Sequence, residues 1–245
     1  MTEPPPEHLV TGSGLPSTVF VAGLAQTLGD IRAFGSGVTG TRSFVELVVP
    51  TVASAVDAVS SVSDEVDASQ ALGVSLGATA VLAAAARQPD RYTKIVVALP
   101  GAVFDDHSEP AQQALQALRD AFVGHDQIAM TQALLEIQPA SVRSKLPVSM
   151  WARRQADVVL GLPLGPLLDD VLSGAAAHLA AQVPLATMRT PVLVLAQADD
   201  DVHPLSAAQQ LAHVLPNAQL VVSDLPWVWS ARERLREVVS GFLAT

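Results

Sequence analysis

The chain has 245 residues, of which 49% are hydrophobic, and this suits one α/β domain with a large core and an inserted subdomain. Its 14 basic and 24 acidic residues give a net charge of −10 without a basic cluster, so we expect neither nucleic acid nor an anionic membrane as a partner. The lack of cysteine excludes disulfides, thiol nucleophiles and zinc–thiolate sites.

The first part of the chain alternates strands with helices. Short runs rich in β-branched residues and bounded by glycine or proline predict strands over 17–23, 42–49, 71–75 and 94–100. Helical spacing predicts helices over 51–61 and 78–87. This alternation predicts a parallel sheet with helices on both of its faces.

The middle of the chain changes character. From about 109 to 183 the sequence has no strand pattern, and helices are predicted over 110–122, 127–136, 148–160 and 166–177. Strands return over 191–197 and 218–223, with helices over 205–215 and 230–242. We therefore predict a core formed by 1–104 and 186–245, and an all-helical lid over 105–185.

A serine between two glycines, Gly73-Val-Ser-Leu-Gly77, follows a predicted strand and opens a predicted helix. This context is typical of a nucleophilic serine on a tight strand-to-helix turn. Side chains at positions 73 and 77 would collide with neighbouring elements, which explains the glycines. The motif predicts that Ser75 is a nucleophile.

Four segments together resemble the α/β-hydrolase family: Val19–Gly23, Gly73–Gly77, Pro191–Pro204 and Asn217–Ser223. They span nearly the whole chain, and the predicted helical insertion lies where that family has its lid. The resemblance implies the α/β-hydrolase fold, with a mostly parallel central sheet, flanking helices and an all-helical lid insertion.

The same resemblance assigns roles residue by residue. Ser75 matches the nucleophile, and Asp200 matches the acid, with Asp199 and Asp201 flanking it. The backbone N–H groups of Leu76 and Leu24 match the two donors of the oxyanion hole. A lesser alternative for the acid is Asp105 or Asp106, which follow the strand that ends near Pro100.

The family's histidine is missing from its usual place. Pro226 and Trp227 stand where the family has a Gly-His pair, and no histidine follows His213. The favoured interpretation is therefore that Ser75 has no base and that the triad is degenerate. The alternatives are substitute histidines elsewhere in the chain: His178 in the lid, His107 and His203.

The predicted substrate pocket contains Gly23, Trp227, Trp151 and His178. Trp227 has two interpretations, either packing in the core or projecting into the pocket beside Ser75, where its indole would stack on a planar ligand. In the second case Trp151, in the lid, would form the opposite wall.

The resemblance and the lost histidine together leave several functions open. The leading one is an acyl hydrolase or transferase acting on a small ester, thioester or lactone. The alternatives are a cyclase, lyase or isomerase of the same fold, or an inactive protein that binds a small molecule. We expect a small-molecule substrate or ligand and neither a cofactor nor a metal.

The chain's start and its hydropathy predict its location. The acidic, proline-rich start lacks the features of a signal peptide, and no apolar run is long enough to span a membrane, which favours a cytoplasmic protein. Only 16% of the residues are charged, which is compatible with a homo-oligomer.

Overall fold

A computed structural model describes residues 8–101 and 108–245 of the chain. Its strands are β1 (His8–Thr11), β2 (Ser17–Val21), β3 (Thr41–Val45), β4 (Gln70–Val74), β5 (Lys94–Ala98), β6 (Val192–Gln197) and β7 (Ala218–Ser223). They form one sheet in the order β1-β3-β2-β4-β5-β6-β7. Within the described strands, β1 and β3 pair antiparallel and every other neighbouring pair is parallel.

Helices flank this sheet and fill the segment between β5 and β6. They are α1 (Leu28–Ile31), α2 (Val52–Glu65), α3 (Leu76–Arg87), α4 (Glu109–Val123), α5 (Gln127–Glu136), α6 (Leu146–Leu160), α7 (Gly165–Leu172), α8 (Ala175–Gln182), α9 (Leu205–Val214), α10 (Trp227–Ser230) and α11 (Arg232–Ala244). Two 3₁₀ turns lie at Ala140–Val142 and Leu185–Thr187.

The sheet separates two hydrophobic cores because successive side chains of a strand point to opposite faces. In β2, Val19 and Val21 belong to the larger core, with α2 and α3, whereas Phe20 belongs to the smaller one. The smaller core contains Trp227 and residues of α11. The predicted fold class, a mostly parallel sheet with flanking helices, is confirmed.

The segment between β5 and β6 contains α4 to α8 and, within its described residues, no strand. The single helix predicted over 166–177 is two helices, because Gly174 adopts the left-handed conformation with φ of 83° and ends the first of them. The predicted boundary after residue 104 lies outside the described residues, so the division into core and lid stays a prediction.

Three short elements, β1, α1 and α10, were not predicted from the sequence. The strand β1 covers an edge of the sheet by pairing antiparallel with β3. The helix α1 has only four residues, and a capping box between Thr27 and Asp30 starts it. Among the described residues, no helix has the length and apolar character that a membrane crossing requires.

Candidate active site

Ser75 lies between the last residue of β4 and the first residue of α3. Its backbone has φ of 52° and ψ of −118°, a region that residues with a side chain rarely adopt. The N–H of Ser75 donates to the carbonyl of Ala98 at 2.9 Å, which ties the turn to the neighbouring strand β5. This strained turn holds the Ser75 side chain at the carboxyl end of the central strands.

The two glycines beside Ser75 are required by the packing of this turn. A Cβ at position 73 would collide with the backbone of Gly77, and a Cβ at position 77 would collide with the carbonyl oxygens of Val21 and Ala22. These contacts are with backbone atoms, which cannot move aside cheaply. The steric reason predicted for Gly73 and Gly77 is confirmed.

A histidine does contact Ser75. Nε2 of His203 lies 2.8 Å from Oγ of Ser75. Nδ1 of the same ring lies 3.0 Å from Oδ2 and 3.1 Å from Oδ1 of Asp200. The prediction that no histidine reaches Ser75 is therefore wrong, since the histidine comes from the loop that carries the acid.

The conformation of the loop between β6 and α9 explains how His203 reaches that position. Asp199 adopts a left-handed conformation with φ of 56°, which turns the chain back after the strand. The backbone N–H of His203 then donates to Oδ1 of Asp200 at 3.0 Å. The Asp200 carboxylate thus accepts hydrogen bonds from both the backbone and the ring of His203, and these bonds orient the ring toward Ser75.

The charge state of Asp200 decides which tautomer His203 has. Burial of the Asp200 carboxyl raises its pKa, but the charge of His203 and the hydrogen bonds from His203 and Gln197 outweigh burial, so the pKa lies below its ordinary value. An ionised carboxylate can only accept, so Nδ1 of the neutral ring carries the proton. Nε2 is then an acceptor, and the Ser75 hydroxyl donates to it.

Gln197 and Trp227 form a hydrogen-bonded series that ends at the carboxylate of Asp200. Nε2 of Gln197 donates to Oδ2 of Asp200 at 2.7 Å, and Oε1 of Gln197 accepts the backbone N–H of Trp227 at 2.9 Å. The Trp227 indole donates to the carbonyl of Ala196 at 2.8 Å and is 0% exposed. The interpretation of Trp227 as a pocket wall is corrected, because its ring is held inside the smaller core.

The predicted wall residue Trp151 does line a cavity of about 660 Å³ that also contains Ser75 and His203. Its indole N–H donates to Oδ1 of Asp30 at 2.8 Å. Its ring meets the ring of Trp229 edge to face, with the centroids 5.6 Å apart. Trp229 lines the same cavity, whereas Trp227 does not.

The loop after β2 lies against Ser75 from the other side. A Cβ on Gly23 would be 3.0 Å from the Cβ of Ser75, so this glycine allows the close approach. The N–H of Gly23 donates to Oε1 of Gln26 at 2.8 Å. By contrast, among the described residues the N–H groups of Leu24 and Leu76 have no protein acceptor, and both residues line the cavity.

The remaining candidate residues lie elsewhere. His178 is exposed on α8 and does not line the cavity, so its predicted place in the pocket is corrected. Asp105, Asp106 and His107 lie outside the described residues. Among the residues that the structure does describe, no group of three or more His, Cys, Asp or Glu side chains is arranged to hold a metal ion.

Gln197 was also missed at the sequence level. The sequence feature that could have indicated its role is its position as the last residue of β6, three residues before Asp200. A polar side chain at the end of a buried strand needs a hydrogen-bond partner.

No protein-family model and no curated protein matches this sequence. Solved structures do match it. A variant of a meta-cleavage product hydrolase from Pseudomonas fluorescens IP01 has a TM-score of 0.78 and 19% identity, covering 97% of this chain and 93% of that one. An α/β-hydrolase enzyme from a Medee basin deep-sea metagenome library has a TM-score of 0.72 and 15% identity, covering 98% and 94%.

An N-acyl homoserine lactone degrading enzyme has a TM-score of 0.71 and 19% identity, covering 96% of each chain. Sequence identities this low support a shared fold but not a shared activity. With its seven-stranded sheet in the order given above, this chain therefore has the α/β-hydrolase fold.

Proposed function

We propose that this protein is a serine hydrolase that cleaves a small acyl compound, an ester, thioester or lactone. The observation that carries the proposal is the hydrogen-bonded series from Asp200 through His203 to Ser75. A hydroxyl is a weak nucleophile until an adjacent base takes its proton, and this series provides the base and the group that orients it. The degenerate triad inferred from the sequence is therefore not part of the proposal.

In the first half of the proposed reaction, Oγ of Ser75 attacks the acyl carbon while Nε2 of His203 takes the hydroxyl proton. Asp200 stabilises the imidazolium that forms. The oxygen of the tetrahedral intermediate accepts hydrogen bonds from the N–H of Leu76 and the N–H of Leu24, which no other described group uses. His203 then protonates the departing alcohol or thiol, and an acyl group stays on Ser75.

In the second half, His203 takes a proton from water, and the resulting hydroxide equivalent attacks the acyl carbon. The bond to Oγ of Ser75 breaks, and the oxygen regains its proton from His203. The products are a carboxylic acid and the free enzyme. Two of the similar structures support a hydrolytic reaction, since one is a meta-cleavage product hydrolase and the other is an enzyme that degrades N-acyl homoserine lactone.

The pocket supports a small-molecule substrate. A cavity of about 660 Å³ lies within the usual range for small-molecule sites. Its apolar lining includes Leu115 and Leu118 of α4, and Trp151 of α6. These residues come from the helical insertion, so the proposed lid contributes the walls that hold the substrate's apolar part.

The test is hydrolysis of a short panel by the purified chain: 4-nitrophenyl butyrate, S-ethyl thiobutyrate and γ-butyrolactone. We expect at least one of them to be hydrolysed, with kcat lower by about 10⁴-fold or more in Ser75→Ala. Intact-mass spectrometry should detect an acyl group on the wild-type chain and none on Ser75→Ala. Hydrolysis that survives this substitution would contradict the proposal.

A further inference from the structure

We propose that the substrate carries a carboxylate, which three arginines bind at the mouth of the cavity. This inference rests on the proposed function, because it names the class of acyl compound that the same site accepts. The three arginines are Arg32, Arg154 and Arg232, and all of them line the cavity of Ser75. They come from three separate parts of the chain, the turn after α1, the helix α6 and the start of α11.

Contacts between three other residues hold together the three segments that carry these arginines. The Trp151 indole donates to Asp30 at 2.8 Å, and the Trp151 ring meets the Trp229 ring with centroids 5.6 Å apart. Arg32 follows Asp30 by two positions, Arg154 follows Trp151 by three, and Arg232 follows Trp229 by three. Each arginine therefore leaves the backbone next to a residue that this set of contacts fixes in the cavity wall.

The three guanidinium groups have no acidic partner among the residues that the structure describes. Elsewhere in the described chain, Arg87, Arg119 and Arg143 form ion pairs with aspartates. Arg32 and Arg154, in contrast, make no ion pair and no side-chain hydrogen bond with any described residue.

Arg232 uses only its Nε, which donates to the carbonyl of Val228 at 2.5 Å. Within the described part of the chain, the other donors of Arg232 and the side-chain donors of Arg32 and Arg154 have no acceptor, so they are available to a ligand.

The two aspartates in the lining, Asp30 and Asp200, have other hydrogen-bond partners. Asp200 is paired with His203. The carboxylate of Asp30 already accepts the backbone N–H and the hydroxyl of Thr27, as well as the indole of Trp151. The lining thus has three arginines against two aspartates, although the whole chain has a net charge of −10. An acidic protein that surrounds one cavity with unpaired arginines is suited to bind an anion there.

The geometry of arginine favours a carboxylate as that anion. A guanidinium offers a planar pair of N–H donors that matches the two oxygens of a carboxylate. Tryptophan walls on the same side can cover an apolar spacer between the carboxylate and the scissile bond. The expected substrate is therefore an acyl chain with the reacting carbonyl at Ser75 and a carboxylate at its far end.

Three esters of nearly equal shape separate charge from size: monoethyl adipate, ethyl hexanoate and ethyl 6-aminohexanoate, which end in a carboxylate, a methyl and an ammonium group. We measure their binding to Ser75→Ala by calorimetry, which needs no turnover, and kcat/KM on the wild-type chain. We expect the adipate monoester to bind about 10-fold more tightly than ethyl hexanoate at low ionic strength, with the difference shrinking in salt.

Single Arg32→Gln, Arg154→Gln and Arg232→Gln substitutions should each weaken binding of the adipate monoester by about 5- to 50-fold, with ethyl hexanoate changed less than about 2-fold. The matched control is Arg153→Gln, which removes an exposed arginine of the same helix that does not line the cavity. We expect this variant to bind both esters like the parent protein.

Equal binding of the anionic and neutral esters would overturn the inference, and so would an anion preference that all three glutamine variants retain. If ethyl hexanoate is hydrolysed in a Ser75-dependent way without any anion preference, the inference fails and the proposed function stands. If the adipate monoester binds with the expected preference but no ester in either panel is hydrolysed, the anion site stands and the proposed function fails.

Discussion

Nε2 of His203 lies 2.8 Å from Oγ of Ser75, although the two residues are 128 positions apart in the chain. Ser75 follows β4, and His203 lies in the loop after β6, with β5 between the two strands. The carboxyl ends of parallel strands share one edge of a sheet, so loops that follow different strands can meet there. One loop thus brings both the acid and the base to the serine that follows β4.

The first prediction concerns the acid. Asp200→Asn should lower kcat by about 10³- to 10⁴-fold with little change in KM, because an amide can stabilise the wrong tautomer of His203 and cannot stabilise its cation. The control is Asp199→Asn, which changes an exposed neighbour and keeps a residue type that tolerates the positive φ found there. Similar losses in both variants would contradict the assignment of Asp200.

The second prediction concerns Gln197 as a positioning residue. Gln197→Leu should raise the pKa of the Asp200 carboxyl, because the carboxylate loses a donor that keeps this pKa low. It should also cost about 1–3 kcal/mol of stability, since the buried N–H of Trp227 loses its acceptor. A pH titration of the Asp200 carboxyl followed by NMR, and urea unfolding, measure the two effects.

A matched control for Gln197→Leu is Gln116→Leu. Gln116 also donates to a carboxylate, that of Asp120 at 2.8 Å, but both groups are exposed. We expect neither the pKa of Asp200 nor the stability to change appreciably. A loss of stability in Gln197→Leu with an unchanged pKa of Asp200 would reduce Gln197 to a structural role.

The third prediction concerns stability and pH. The pKa of Asp200 is lower in the folded chain than its ordinary value of 3.8, so its ionised form stabilises the fold at any pH above that value. As the pH falls below about 4, toward the lowered folded pKa, the carboxylate is protonated and the contribution is lost. The free energy of unfolding of the wild type should therefore approach that of Asp200→Asn in this range.

Urea unfolding of both proteins at a series of pH values measures this difference. A gap between the two free energies that widened as the pH fell would mean that the folded pKa is raised instead, with burial outweighing the partners of Asp200.

The fourth prediction concerns Trp227. Because its ring is buried in the smaller core and not in the cavity, Trp227→His in a His203→Ala background should not restore hydrolysis. The substitution should cost about 2–4 kcal/mol, since it removes indole volume from a fully buried position. Activity is measured on protein that circular dichroism shows to be folded. Recovered hydrolysis would show that position 227 can still place a base at Ser75.

The elements of the sheet could be predicted because each is a local pattern. The strand over 218–223 and the helix over 127–136 have the predicted bounds, and the other central elements differ by a few residues. The strand β1 was missed because two exposed and two partly buried residues carry little pattern, and their pairing with β3 is a contact distant in sequence. The glycines of the turn were predictable since their steric role is local.

The base could not be predicted for a different reason. Whether His203 points to Ser75 depends on the left-handed residue Asp199 and on the hydrogen bond that its own N–H gives to Asp200. The spacing of an aspartate three positions before a histidine permits this turn and does not require it. Similarly, Trp227 and Trp229 are two residues apart, and only the packing of α10 decides which ring lines the cavity.

The most direct test of the central claim, that His203 activates Ser75, is the rate at which a fluorophosphonate labels the serine, followed by intact mass. We expect rapid labelling of the wild-type chain, none of Ser75→Ala, and labelling slower by about 10³-fold or more in His203→Ala. His178→Ala, which changes an exposed histidine of α8, should label at the wild-type rate. Slow labelling of the wild type, or equal rates in the wild type and His203→Ala, would contradict the claim.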